Sequence, residues 1–300
     1  MILQIFINGV ISSSVYALIA VTFTLIYRTV RFFHLAHGAV YTVGAYVAYT
    51  AVRYLPIESY ALRLGVGVVA GMLIAAVAGV AIDRLVYSPL RRRKASDLIL
   101  LLASFGAFIF IQNLIQMLYG AQILTIREGP VKQGHTFLGA VITNVQIVII
   151  LTSLVVLLVL WAFVKRTKLG KAMRAVADNP VAASTVGINP EKTIFWAFFI
   201  GSGLAGLAGI LISFETNIEP TMGFTAILKG MIASIVGGIG SLPGAVLGAY
   251  LLGFAENFGI WKISAGWKDA ISFAILILFL LIRPQGILGV KSTGVKELGS

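Results

Sequence analysis

The chain has no cysteine and very little charge, and each absence removes a class of function. Without cysteine there is no disulfide, no thiolate metal site and no cysteine nucleophile. Charged residues make up 11% of the 300 residues, whereas a soluble globular chain has about 25%. Because 59% of the residues are hydrophobic and the mean hydropathy is +0.97, water cannot cover this chain on every side. We therefore predict an integral membrane protein.

Long apolar runs take the place of charged surface. A transmembrane helix needs about 20 mostly apolar residues. The runs predict an all-α, polytopic membrane protein, a single domain over residues 1–300 with about eight or nine spans. The candidate spans are 2–27, 37–55, 62–86, 98–119, 145–164, 193–214, 224–239, 243–258 and 269–283.

The runs at 224–239 and 243–258 are short, and a glycine-rich turn joins them. Five glycines lie in and around that turn: Gly237, Gly238, Gly240, Gly244 and Gly248. Glycines four residues apart let helix backbones approach closely. Two short tilted helices and a re-entrant hairpin both fit the pattern, because non-helical backbone at membrane depth is tolerated where protein covers it.

The net charge of +12 would suggest nucleic-acid binding in a soluble protein, but here the basic residues are clustered. One cluster lies at 91–94 and another at 165–174. Cytoplasmic loops of membrane proteins collect Lys and Arg. We therefore predict that both clusters face the cytoplasm, with the N-terminus outside and the C-terminus inside. The expected surroundings are membrane lipid and not nucleic acid.

The loop at 165–192 is the most informative segment between spans. Asn179-Pro180 predicts a break between two short helices, because Pro cannot continue the helical hydrogen-bond ladder, and Gly187 predicts the end of the second helix. The first helix is expected to expose three polar residues: Lys171, Arg174 and Asp178. Such a helical elbow suits the docking of a soluble partner. A basic helix resting on anionic lipid is the alternative.

Polar residues within or near the predicted spans are candidates for a translocation pathway. They are Asn8, Ser12, Gln112, Asn113, Lys229 and Glu256. Helix–helix hydrogen bonding is the alternative role for the amides and hydroxyls, and snorkelling to an interface is the alternative for the charged pair. His37 and Gly38 lie where the chain re-enters the membrane, and we expect them to serve capping or packing. No histidine–carboxylate cluster has metal-ligand spacing, so no metal or other cofactor is expected.

Sources of energy and chemistry are also missing from the sequence. The chain lacks a Gly-x-x-x-x-Gly-Lys-[Ser/Thr] phosphate loop, so another chain or an ion gradient would have to drive transport. A gradient-driven carrier normally has an acidic or histidine relay inside its spans, whereas Asp83, Glu215 and Glu256 all lie near span ends. A membrane-embedded enzyme needs converging catalytic groups, and the sequence offers none. We therefore favour a transport subunit that is not itself an enzyme.

Several motifs occur in a characteristic order along nearly the whole chain. They are Asn8-Gly9, Tyr16-Ala17-Leu18-Ile19-Ala20, Leu35-Ala36-His37-Gly38, the elbow, the helix carrying Gly201 to Gly209, Gly237-Gly238-Ile239-Gly240-Ser241-Leu242-Pro243-Gly244-Ala245, Lys268-Asp269 with Ser272-Phe273, and Pro284-x-Gly286-Ile287-Leu288-Gly289. Together they resemble LivH-type permeases, the membrane subunits of branched-chain amino-acid ATP-binding-cassette (ABC) importers.

The resemblance implies a role for the elbow. Ala182-Ala183-x-x-x-Gly187 is similar to the core of the importer loop that docks on an ATPase, although Val181 stands where that loop usually has Glu. The implied coupling residues are Gly170, Lys171, Arg174, Asp178, Ala182, Ala183 and Gly187.

The resemblance also implies partners and a substrate. A second homologous permease, two cytoplasmic ABC ATPase subunits and a periplasmic or extracellular binding protein are expected. Leucine, isoleucine and valine would enter across the cytoplasmic (inner) membrane of a bacterium or archaeon. Relatives of this kind also carry urea, short amides or other amino acids, and the residues do not choose among these substrates.

Overall fold

The computed structural model describes residues 2–127, 134–137 and 139–289, and these residues are mostly helical. The predicted domain of residues 1–300 also includes positions outside those ranges. The helices are α1 (Ile2–Val30), α2 (His37–Tyr54), α3 (Tyr60–Ile82), α4 (Ser88–Arg92), α5 (Asp97–Tyr119), α6 (Asn144–Arg166), α7 (Lys168–Asp178), α8 (Pro180–Thr185), α9 (Pro190–Glu215), α10 (Met222–Gly237), α11 (Leu242–Gly259) and α12 (Lys268–Ile282). A π-helical turn, Asp83–Tyr87, joins α3 to α4, and a 3₁₀ turn, Ala265–Trp267, precedes α12.

A short β-hairpin lies between α5 and α6. Strand β1 (His135–Phe137) pairs with β2 (Ala140–Ile142) in antiparallel register, so that Thr136 faces Val141. Gln4 near the start of α1 bonds the backbone of Val141 in both directions, at 2.7 and 3.1 Å. The hairpin therefore lies at the end of the bundle where α1 begins.

Six helical segments among the described residues are long and apolar enough to cross a membrane. They are α1, Tyr60–Arg92, α5, α6, α9 and Ala265–Ile282. The pair α10 and α11 passes the same test jointly and is bent by 114°, which raises the number to seven if that pair is one span. The predicted helical membrane protein is thus confirmed. The count of eight or nine spans and the orientation of the termini stay predictions, as does the choice between two short spans and a re-entrant hairpin.

The centre of the bundle is formed by α1 and α9. Within the most apolar stretch of each helix, 83% of the residues of α1 and 72% of those of α9 are buried, against 22% for α5 and for α6. Small residues allow this close packing: Gly44 of α2 lies so close to Gly206 of α9 that a Cβ atom on Gly44 would overlap its backbone, and a Cβ atom on Gly206 would overlap the Cβ of Ala75 in α3. The outer helices α5, α6 and α12 leave apolar side chains on the surface, as lipid-facing helices do.

Close backbone contact also explains the predicted glycines of the α10–α11 turn. A Cβ atom on Gly237 would overlap the carbonyl oxygen of Gly244, and one on Gly248 would overlap that of Ala233. Gly238 and Gly240 have φ angles of +111° and +84°, which side chains other than glycine's rarely adopt. The turn is therefore built for a sharp reversal with both helices in backbone contact.

The segment after α12 closes this turn. The backbone N–H groups of Ile287 and Leu288 donate to the carbonyls of Val236 and Gly237, at 2.9 and 2.8 Å. These carbonyls belong to the last turn of α10 and have no partner within their own helix. The motif Pro284-x-Gly286-Ile287-Leu288-Gly289 therefore has a structural task in capping α10.

Candidate functional site

The elbow, residues 165–192, has the two-helix form predicted for it. Thr167 caps α7 by accepting the N–H of Gly170 at 3.0 Å. Asn179 ends α7 and caps α8, because its Oδ1 accepts the N–H groups of Val181 and Ala182 at 2.9 and 3.0 Å. Gly187 follows α8 with a φ of +85°, as expected for a glycine after a helix. Side-chain caps thus fix both helices of the elbow.

One face of α7 fastens the elbow to the bundle. Met173, Val176 and Ala177 are buried. Gly170 lies so close to the carbonyls of Phe163 and Val164 in α6 that a Cβ atom would overlap them. The elbow is therefore held rigidly at the end of α6.

The prediction that Arg174 points outward is wrong. Its guanidinium turns back and donates to the carbonyl oxygens of Val164 and Lys165, at 2.8 and 3.3 Å. The last carbonyls of α6 lack partners within the helix, and a cation near a helix C-terminus is favourable. Lys171 and Asp178 are exposed as predicted, and Asp178 lies 3.9 Å from the guanidinium of Arg28.

The second helix of the elbow presents apolar side chains to its surroundings. Val181 and Val186 are 71% and 74% exposed, whereas Ala183 is buried against the bundle. Ala182 is also exposed. Two exposed valines on a rigid, capped turn form a surface suited to a protein partner.

A second site joins the two charged residues predicted within spans. Lys229 of α10 places its Nζ 2.5 Å from Oε1 of Glu256 in α11, 2.7 Å from Oγ of Ser272 and 2.8 Å from Oδ1 of Asp269. Ser272 also donates to Glu256, and the hydroxyl of Tyr16 in α1 donates to Oε2 of Glu256 at 2.8 Å. We call these five residues the lysine network.

The lysine network ties four helices together. The side chain of Lys229 is 6% exposed and Glu256 is fully buried, whereas the carboxylate of Asp269 is 63% exposed. The opposite charges of Lys229 and Glu256 offset each other, and Ser272 and Tyr16 supply further hydrogen bonds to the pair. Lys229 and Glu256 therefore bind each other and do not snorkel to an interface.

The other pathway candidates separate into two groups. Ser12 accepts a hydrogen bond from Asn257, the neighbour of Glu256, at 3.1 Å, and Asn8 accepts one from Gln4 at 3.0 Å. Ser12 thus contacts α11 beside the network, whereas the bond of Asn8 lies within α1. Gln112 and Asn113 lie on α5, where the exposed Asn113 donates to the carbonyl of Ile109 in its own helix, at 2.8 Å. The pathway role of all these residues stays a prediction.

His37 and Gly38 lie in packed surroundings at the start of α2. The buried His37 ring bonds the hydroxyl of Thr22 through Nε2 at 3.0 Å. Gly38 abuts the backbone of Gly223 in α10. Both residues thus make contacts within the bundle, and their packing role stays a prediction.

Three members of the lysine network were not singled out from the sequence as site residues. Tyr16, Asp269 and Ser272 all occur inside the motifs quoted above. Ser272 could have been found as the single hydroxyl residue of the apolar run 269–282, one helical turn after Lys268. Tyr16 gave no signal, because a tyrosine in a membrane helix is equally suited to an interface.

Comparison with known proteins places the sequence of this chain in a family. The sequence pattern of the family described as "Branched-chain amino acid transport system / permease component" matches residues 5–280. The chain belongs to this permease family. The predicted resemblance to LivH-type permeases is thereby confirmed.

Curated relatives match the permease over almost its whole length. It is 38% identical over 295 residues to the high-affinity branched-chain amino acid transport system permease protein LivH of Escherichia coli K12, covering 96% of this chain and 95% of the relative. It is 37% identical over 295 residues to BraD of Pseudomonas aeruginosa, with the same coverage. The probable LivH of Methanocaldococcus jannaschii is 31% identical over 303 residues, covering 97% and 94%.

A solved structure shares the fold of the permease. It is described as PsaBC from Streptococcus pneumoniae in complex with Fab, and it aligns with a TM-score of 0.51 at 14% identity over 93% of this chain and 91% of that one. The apolar helices and the curated relatives together show that the permease is a multi-pass membrane protein and a transport component rather than an enzyme.

Proposed function

We propose that this permease is the membrane-spanning subunit of an ABC importer that moves leucine, isoleucine and valine into the cytoplasm. The observation that carries the proposal is the 38% identity, over nearly the full length of both chains, to a high-affinity branched-chain amino acid permease. The proposed setting is the cytoplasmic membrane of a bacterium or archaeon, as one domain with the N-terminus outside. The proposed assembly contains a second homologous permease, two ABC ATPase subunits and an external binding protein.

In this proposal the elbow transmits ATPase movement to the bundle. The capped α7–α8 pair projects from the ends of α6 and α1, and Val181 and Val186 are free to enter a groove on the ATPase. Because Gly170 and Arg174 lock α7 onto α6, a displacement of α8 would be passed to the bundle. The proposed coupling residues are Gly170, Lys171, Arg174, Asp178, Ala182, Ala183 and Gly187.

The proposed translocation pathway runs beside the lysine network. Its proposed residues on α1, α10 and α11 are Asn8, Ser12, Lys229 and Glu256. An apolar amino acid released by a binding protein needs only a few polar contacts on its way. Gln112 and Asn113 are proposed as pathway residues on α5, apart from the lysine network.

Reconstitution tests the proposed function. Proteoliposomes containing the permease with its partner permease, ATPases and binding protein should accumulate radiolabelled leucine when ATP is supplied inside. Isoleucine and valine should compete, whereas urea and acetamide should not. Proteoliposomes containing this chain alone should show no uptake, and robust uptake by the single chain would indicate an ion-gradient-driven carrier instead.

The absence of native cysteine makes the orientation easy to test. Arg92→Cys introduces one thiol at an exposed position of α4, beside a basic cluster. An impermeant maleimide should label this variant in inverted membrane vesicles but not in intact cells or spheroplasts. Thr136→Cys on the β-hairpin is the matched control and should show the opposite pattern. Labelling of Arg92→Cys from outside would reverse the proposed orientation.

A further inference from the structure

An apolar groove runs along the outside of the bundle between α1, α6 and α11. Its volume is about 490 Å³, and its lining includes Val21, Leu157, Leu158, Trp161, Val246 and Tyr250. Leu158 and Trp161 are 56% and 44% exposed, so the groove is open on the side away from the bundle. This volume lies within the range of about 300–1,000 Å³ typical of ligand pockets.

A basic cavity of about 900 Å³ continues the groove at the end of the bundle that carries the elbow. The two spaces share Trp161, Leu242 and Pro243. The lining of the cavity carries a net charge of +3, from four cationic side chains and one anionic side chain. They are Arg28, Arg31, Lys165, Arg174 and Asp178.

Fixed contacts orient the cations of this cavity. Arg31 donates to the carbonyl of Ala177, and Arg174 donates to that of Val164. The Nζ of Lys165 lies 4.7 Å from the centroid of the Trp161 ring, at the junction of groove and cavity. Carbonyl and ring contacts leave the positive charges of Arg31, Arg174 and Lys165 uncancelled. Arg28 lies 3.9 Å from Asp178, and the remaining positive charge of the cavity attracts an anion.

The dimensions match one leaflet of a membrane. Leu154, which lines the groove, precedes Lys165 by three turns of α6, a rise of about 16 Å. Half of the hydrocarbon core of a bilayer is about 15 Å. A molecule with an anionic head in the cavity and an apolar tail in the groove would therefore lie as a lipid does within its own leaflet.

We propose that the groove and the basic cavity together bind one anionic phospholipid, with its phosphate near Lys165, Arg28 and Arg31 and an acyl chain along α6 and α11. The main competitor for this surface is a protein subunit. Interface cores between proteins are depleted of Lys, whereas Lys165 lies at the junction of the groove and the cavity. The cluster of cations at the end of the groove favours the lipid, since juxtamembrane cations attract anionic headgroups.

Photo-crosslinking in the assembled transporter tests the proposal. Benzoylphenylalanine replaces Leu158 in the groove or, as the control, Phe110 on the exposed surface of α5. The transporter is reconstituted in phosphatidylcholine vesicles containing a minor fraction of phosphatidylglycerol, and adducts are identified by mass. At position 158, phosphatidylglycerol adducts should exceed the share of that lipid in the vesicle, whereas position 110 should reproduce the vesicle composition.

Charge variants make the test specific to the cavity. Lys165→Gln and Arg28→Gln should each lower the phosphatidylglycerol excess at position 158 about fivefold, since a cation near the surface contributes about 1 kcal/mol. Lys165→Arg should retain the excess, as should Lys192→Gln, which removes a charge outside the cavity. An adduct to a protein subunit at position 158, or lipid adducts in bulk proportion, would overturn the proposal.

Discussion

Lys229→Met is expected to destabilise the permease by about 3–5 kcal/mol, because it leaves the carboxylate of Glu256 buried without a counter-charge. Glu256 is fully buried, and its Oε1 lies 2.5 Å from the Nζ that the substitution removes. The hydroxyls of Tyr16 and Ser272 would remain, but neutral donors compensate a buried charge only in part. Thermal unfolding of the detergent-solubilised variant, followed by size-exclusion chromatography, should show a large loss of the folded fraction.

The double variant Lys229→Met/Glu256→Gln separates charge from packing. It removes both charges and keeps an amide that can bond Tyr16 and Ser272, so most of the lost stability should return. Asp269→Asn is the matched control on the same lysine. Its carboxylate is 63% exposed and lies 2.8 Å from Nζ, so its loss should cost less than about 1 kcal/mol. A double variant as unstable as Lys229→Met would mean that lysine packing, and not charge pairing, holds the four helices.

Val181→Asp combined with Val186→Asp is expected to reduce ATP-driven leucine uptake at least tenfold while leaving the permease folded. Both side chains are more than two-thirds exposed, and surface substitutions usually change stability by less than about 0.5 kcal/mol. In a partner's groove, each introduced carboxylate would be desolvated without a counter-charge. The loss of about 1.4 kcal/mol of docking energy already means a tenfold weaker complex.

Uptake and subunit binding should fall together in this variant. The measurements are leucine uptake in proteoliposomes and recovery of the ATPase subunits with the tagged permease. Thr136→Asp adds one negative charge at an exposed site on the β-hairpin. The hairpin lies at the start of α1, whereas the elbow lies at the end of α1. That control should transport normally. Full uptake by the double aspartate variant would remove the elbow from its proposed coupling role.

Local patterns in the sequence predicted the helices well. The predicted run at 98–119 corresponds to α5, Asp97–Tyr119, and the run at 193–214 to α9, Pro190–Glu215. The break at Asn179-Pro180 was also predicted, because proline and a side-chain cap act over a few residues. Such signals are contained in short segments, so one sequence suffices to find them.

Contacts between distant residues could not be predicted in this way. Lys229 and Glu256 were each proposed as pathway residues, but their pairing depends on how α10 folds back onto α11 and on where α12 places Ser272. Arg174 was expected to face outward because charge is usually exposed, yet the open carbonyls of α6 offered it a nearer partner. The packing of the helices decides which polar groups pair with each other, and this packing cannot be seen in the sequence.

The contact between Ile287, Leu288 and the end of α10 has a consequence for the order of biogenesis. Residues 286–289 are synthesised after α10 and α11, so the carbonyls of Val236 and Gly237 must wait for their partners. The α10–α11 turn is thus completed only when a later part of the chain returns to it. A nascent permease stalled before Gly286 should therefore expose this turn to proteases that degrade incompletely assembled membrane proteins.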